Sequence, residues 1–147
     1  MSKVGEEKMW DKIARIANSH EYMSGVVRTS ERVSATGEIF TPIEGVIEMV
    51  RSQPLHVWGP GKTVLDPACG DGQFLIVIKW VKIFFHHMSE TDALEDLYGV
   101  DIMRENVDLC LTRLGGGTVL MGNTLKPAER LDGQTSHEYD KMCELFT

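Results

Sequence analysis

Two aspartates and two glycines carry the most legible chemistry of this chain. Asp66 ends a short apolar run, Val64-Leu65; Gly70 and Gly72 follow closely, and a long amphipathic stretch begins directly after them. That order reads as strand, tight loop and helix N-terminus, a geometry in which backbone N–H groups face an anionic or polar ligand. The same glycines also suit a tight turn with no ligand. Asp101 closes a second apolar run, Leu97-Tyr98-Gly99-Val100. A carboxylate there can accept two hydrogen bonds from ribose hydroxyls, or stand as a solvated strand-end acid. Its distance from the loop exceeds the ~20 residues of the usual dinucleotide fingerprint, and a long helix plus a polar insert at 86–96 account for the excess. Asn123 sits in Met121-Gly122-Asn123-Thr124, where a turn residue commonly ends a strand.

These groups need elements to hold them. Met9, Ile13 and Ile16, with Trp10, Ala14 and Ala17 beside them, predict an amphipathic helix over residues 4–18. Residues 19–38 are polar and read as loop. Thr41-Pro42-Ile43-Glu44 reads as a capping box, with Thr41 as N-cap, Pro42 in the first helical position and Glu44 three residues on. Ile43, Val46, Ile47 and Val50 supply the stripe of the helix that follows. Pro54 and Trp58-Gly59-Pro60-Gly61 end it in a turn. A strand over about 63–67 comes next, then a helix with Phe74, Val77, Ile78, Val81, Phe84 and Phe85 on one face. Strand 97–101, a helix stopped by Gly115-Gly116-Gly117, and strand 118–121 complete an alternation of strands and helices. The predicted fold class is therefore α/β, a truncated Rossmann-like domain with a parallel sheet of three or more strands flanked by helices, preceded by an N-terminal helical segment. A single domain over 1–147 is expected: a helical segment 1–60, a core 61–125 and a less regular tail 126–147.

Composition narrows the classes. The chain has 147 residues, 42% hydrophobic and 25% charged, ordinary for a soluble globular domain with a modest core. No apolar run reaches the ~18–20 residues of a membrane span, and the N-terminus has no signal-peptide apolar region, so no membrane partner and a cytoplasmic location are expected. A formal charge of −7 argues against a free-standing nucleic-acid binder, since phosphate contacts need clustered Lys and Arg. Cys69, Cys110 and Cys143 are scattered and have no His at ligand spacing, so reduced thiols and no metal site are expected.

Val64 to Leu75, read as Val-Leu-Asp-Pro-Ala-Cys-Gly-Asp-Gly-Gln-Phe-Leu, resembles motif I of class I S-adenosylmethionine-dependent methyltransferases, in the form typical of N6-adenine DNA methyltransferases. Upstream, Thr36-Gly37-Glu38-Ile39-Phe40-Thr41-Pro42 resembles motif X of the same enzymes, in the right order and at the right spacing. The likeness covers about residues 36–125. It implies S-adenosyl-L-methionine as cofactor, bound by Phe40, Thr41, Asp66, Ala68, Gly70, Gly72, Phe74, Asp101, Ile102 and Asn123. In that reading Asp66 accepts from the cofactor's amino group, Asp101 from ribose, and Ile102 flanks adenine. Asn123 stands where the family usually has an Asp that accepts from the adenine amino group; its carbonyl oxygen can accept too, as a neutral and weaker partner.

One family feature is missing. The Asn/Asp/Ser-Pro-Pro-Tyr/Phe motif holds the flipped target base in these enzymes, yet the five prolines, Pro42, Pro54, Pro60, Pro67 and Pro127, are nowhere adjacent. No catalytic residue is assigned. The expectation is a cofactor-binding methyltransferase-like protein, inactive alone or needing a partner, and acting on adenine N6 in DNA if active. Similarity to short methylase-like proteins of large tailed phages raises the alternative of a non-catalytic phage interaction protein that engages a host protein or DNA-modification machinery. In the family, strand one is central. Here its open side needs cover, by a second copy in a homodimer, by a partner protein, or by residues 126–147.

Overall fold

The structure is a computed structural model that describes residues 1–19 and 41–147; Phe40 and the rest of the motif X stretch before it lie outside the described residues. In chain order the elements are α1 (Lys3–Ser19), α2 (Ile43–Arg51), a 3-10 turn (Leu55–Trp58), β1 (Val64–Asp66), α3 (Gln73–Phe84), α4 (Glu90–Glu95), β2 (Leu97–Asp101), α5 (Arg104–Leu114), β3 (Thr118–Met121) and α6 (Ser136–Leu145). The three strands form a parallel sheet in the order β1-β2-β3. It is an α/β fold with the expected alternation, a truncated Rossmann-like sheet flanked by helices.

Strand register sorts the side chains onto two faces. Val64 lies beside Leu97 and Asp66 beside Gly99, while Leu65 pairs with Tyr98 and Val100 with Leu120. The first face packs on α3 and α5, where Leu97, Val119 and Met121 join Leu75, Val107, Cys110 and Leu114 in one core. Helices α1 and α2 continue that core on the far side of α3, through Trp10, Ile13, Ala17, Val46 and Val50. This sandwiching explains why α3 buries Leu75 and Ile76 in addition to the stripe read from its sequence: a helix packed on both sides is apolar nearly all round. The second face is thinner. Val100 and Leu120 pack against Met142 and Phe146 of the C-terminal segment, but Leu65 remains 43% exposed.

Buried charges tie these layers together. The Lys82 ammonium, fully buried in α3, faces the carbonyls of Trp58, Gly59 and Lys62 at 2.9–3.1 Å and the Asp96 carboxylate at 3.0 Å. It thereby clamps the turn entering β1 to the start of β2. Asp96 also accepts from the Gly61 N–H at 3.2 Å.

Two expectations are corrected. Thr41 is not the N-cap of α2: Pro42 takes that position with extended backbone, φ −60° and ψ 152°, and no side chain caps the helix. Thr41's carbonyl instead accepts from Gln73 Nε2 at 3.1 Å, and Pro42's carbonyl receives the first helical bond, from Val46. The second correction concerns the tail. Residues 126–147 contain the regular helix α6, opened by a capping box between Thr135 and Glu138, and this helix packs on β3, leaving β1 uncovered by it. The anchors are specific. Met121 donates its N–H to Glu138 at 2.8 Å, and its carbonyl accepts from Gln134 Nε2 at 2.8 Å. Among the described residues, no helix is long and apolar enough to cross a membrane.

Candidate functional site

The loop between β1 and α3 turns sharply because two glycines adopt left-handed backbone, Gly70 at φ 56° and Gly72 at φ 98°. At Gly72 the requirement is double, since a Cβ there would stand 2.8 Å from Cys110 Sγ. The loop is therefore pressed against α5, and Gly72 becomes the N-cap of α3 with no side chain capping it. Below it, Asp71 is fully buried and paired with Arg113, whose guanidinium lies 3.2 Å from the carboxylate and donates to the Asp71 carbonyl at 3.0 Å. Arg113 thus holds the loop from the C-terminal turn of α5.

A small cleft opens above this loop, lined by Thr41, Asp66, Ala68, Cys69, Gly70, Asp71, Gln73 and Phe74. Of the residues singled out in the sequence, Thr41, Asp66, Ala68, Gly70 and Phe74 meet in that lining, and Gly72 underlies it. Burial pushes the Asp66 carboxyl above its ordinary value; the Ala68 N–H, bonded to Oδ1 at 3.2 Å, opposes the rise, and the nearby Asp101 charge adds to it. Asp101 braces the loop directly. One carboxylate oxygen accepts from the Gly70 N–H at 3.1 Å, and the other from Met103 N–H and Asn106 Nδ2, both at 3.0 Å.

Ile102 and Asn123 stand apart from the cleft lining. Ile102 follows β2 and is 53% exposed. Asn123 follows β3, and its side-chain oxygen accepts from the Leu125 N–H at 3.0 Å. Thr124 next to it bonds the Pro67 carbonyl at 2.7 Å, so the loop after β3 is tied to the loop after β1. Cys69 is buried beside Cys110; the Cys110 thiol and burial push its own thiol well up, the opposite of what a nucleophile needs. Sequence reasoning missed Gln73. It lines the cleft, is 5% exposed, and carries a side-chain oxygen with no partner among the described residues. Its position at the first residue after the left-handed Gly72 was the available signal.

Strand, glycine loop, uncapped helix N-terminus and a strand-end carboxylate bonded to the loop form the arrangement in which parallel α/β sheets commonly hold nucleoside cofactors. No curated protein and no solved structure matches the chain. The profile of the N-6 DNA methylases matches residues 16–115, a span that includes the Asp66–Gly72 loop, α3, Asp101 and α5 and stops before β3. With that match over most of its length, the chain belongs to the N-6 DNA methylase family.

Proposed function

We propose that this chain binds S-adenosyl-L-methionine in the cleft above the β1–α3 loop, and that methyl transfer to adenine N6 in DNA requires a second polypeptide. The observation that carries the cofactor reading is the convergence of Asp66, the Gly70–Gly72 loop and the free N-terminus of α3 on one cleft, with Asp101 bonded to the same loop. These residues fit the cofactor's chemistry. The helix end favours its carboxylate, the half-buried Asp66 favours its ammonium, and this reading assigns the ribose to Asp101 and the adenine to Ile102, at and just after the end of β2. Phe40, Thr41, Ala68, Phe74 and Asn123 complete the proposed contacts. When bound, the cofactor supplies the methyl group.

The need for a partner rests on the missing Pro-Pro-aromatic element, on the net charge of −7, and on the outward edge of β1. Among the described residues that strand pairs with β2 alone, and its own Leu65 stays exposed. A second copy of the chain is the default occupant, because symmetric homodimers are the commonest closed assembly; a different protein with a strand and base-holding loop would serve as well.

Calorimetry with S-adenosylmethionine and S-adenosylhomocysteine tests the cofactor reading. Both bind the wild-type chain, and Asp101→Ala weakens them by about 1–3 kcal/mol. Well-folded protein that gives no heat at millimolar ligand overturns it. Tritiated methyl transfer to double-stranded DNA by the chain alone, abolished by Asp66→Ala, overturns the need for a partner.

A second reading is a non-catalytic interaction protein on the same scaffold, of a kind useful to a phage. It is favoured by the internal use of two site residues: Asp101 already accepts three protein hydrogen bonds, and Asn123 bonds its own turn.

A further inference from the structure

Gln73 is the one residue of the cleft whose burial and bonding do not balance among the described partners. Its Nε2 donates to the Thr41 carbonyl at 3.1 Å, which fixes the amide's orientation and leaves Oε1 as the remaining end. That oxygen is buried and, among the described residues, accepts nothing. Buried polar groups are overwhelmingly paired, and an unmet acceptor is costly. The residue lines the cleft at the first position of α3, a twelve-residue helix with no capping side chain.

Two chemically opposite features therefore lie side by side. The helix N-terminus presents N–H groups and the positive end of the helix dipole, which suit a carboxylate. Gln73 Oε1 and the neighbouring Asp66 present acceptors, which suit a group with several N–H donors. A ligand end carrying an ammonium and a carboxylate on one carbon satisfies both.

We infer that Gln73 is a ligand-binding residue whose Oε1 accepts a hydrogen bond from the α-ammonium of the bound cofactor, while its Nε2 fastens the Thr41 segment to the cleft. This rests on the cofactor reading above. It makes Gln73 a determinant of specificity for an intact amino-acid end. A site that leaves a buried acceptor unpaired disfavours the analogue lacking the donor.

The test is a comparison of two ligands in one protein: S-adenosylhomocysteine and its deaminated analogue, in which hydrogen replaces the α-amino group and the carboxylate is kept. Calorimetry on the wild-type chain gives a preference of about tenfold or more for the amino form, the range of one hydrogen bond to a charged group. Gln73→Met reduces that preference by about the same factor by weakening the amino form, leaving the analogue nearly unchanged. Gln73→Glu keeps an acceptor but loses the donor to Thr41, and it retains the preference. Because each measure is a ratio within one protein, damage to the fold that weakens both ligands alike cancels. Equal binding of the two ligands by wild type overturns the role of Gln73 and leaves the cofactor reading standing. So does an unchanged ratio in Gln73→Met, or a lost one in Gln73→Glu. Failure of wild type to bind S-adenosylhomocysteine at all overturns both.

Discussion

At the β3 edge, the Met121 N–H donates to Glu138 and its carbonyl accepts from Gln134, while at the β1 edge Leu65 stays exposed on a strand that, among the described residues, pairs with β2 alone. The first edge is finished by the chain itself. Side chains of the C-terminal segment stand in for a neighbouring strand, and α6 seats Met142 against Val100 and Leu120. Gly122 allows the approach, since a Cβ there would meet Met142 at 2.6 Å. The second edge is secured from within, by Lys82 and Asp96 behind it, and among the described residues no further strand pairs with it. Unpaired edges invite pairing with another chain, and proteins commonly blunt those they do not use. The contrast teaches that blunting by the described residues is selective: they seal the edge remote from the β1–α3 loop and leave the edge beside it without a strand partner.

Deleting residues 127–147 strikes the sealed edge hardest. The buried Met142 and the bonds to Met121 vanish together, a loss of about 4 kcal/mol or more, large against the 5–15 kcal/mol typical of a domain. Urea denaturation followed by circular dichroism reads it, and an unchanged midpoint breaks the comparison at once. Lys82→Met attacks the inner support of the open edge. It leaves Asp96 buried without its cation and costs about 3–5 kcal/mol, seen as a lower midpoint in the same assay. A loss under about 1 kcal/mol would show that the clamp is dispensable.

Acid acts on the sealed edge through Glu138. Burial pushes the Glu138 carboxyl up, but hydrogen bonds from Arg104 and from the Thr135 and Met121 N–H groups outweigh it and bring the pKa from 4.5 down to about 2. The folded value lies below the unfolded one, so this stabilisation is complete above about pH 4.5 and is lost as pH falls toward 2. Glu138→Gln costs about 2 kcal/mol at neutral pH and flattens the stability curve across that window; an acid limb identical to wild type would assign the pH dependence elsewhere. The smallest effect on folding belongs to Leu65→Lys, within about 0.5 kcal/mol because the side chain is half in solvent. Sedimentation sharpens the contrast, since the same substitution dissociates any assembly built on the β1 edge. An assembly that survives it uses another surface.

Local patterns were sufficient where a segment's own bonds decide its shape. Strands 97–101 and 118–121, the glycine loop and the helix behind it were legible because apolar period, glycine placement and parallel crossovers are all encoded nearby. Two Thr-x-x-Glu stretches show where that legibility stops. Thr41-Pro42-Ile43-Glu44 and Thr135-Ser136-His137-Glu138 carry the same capping signal, and the second one forms the box. The difference comes from residues far along the chain. Gln73 takes the Thr41 carbonyl, and Pro42 becomes the first helical acceptor. Glu138 is drawn into its box while also meeting Arg104 and Met121.

The sequence by itself determined the fold class, the family and the cluster of Asp66, Gly70 and Gly72, because each depends on residues within a few positions of one another. Tertiary structure alone decided which sheet edge the C-terminal helix seals, that Asp101 braces the Gly70 loop, and that Gln73 holds an unpaired acceptor in the cleft. Those outcomes depend on which donors and acceptors from distant segments arrive at the same place, and a buried polar group is settled by its partners in space.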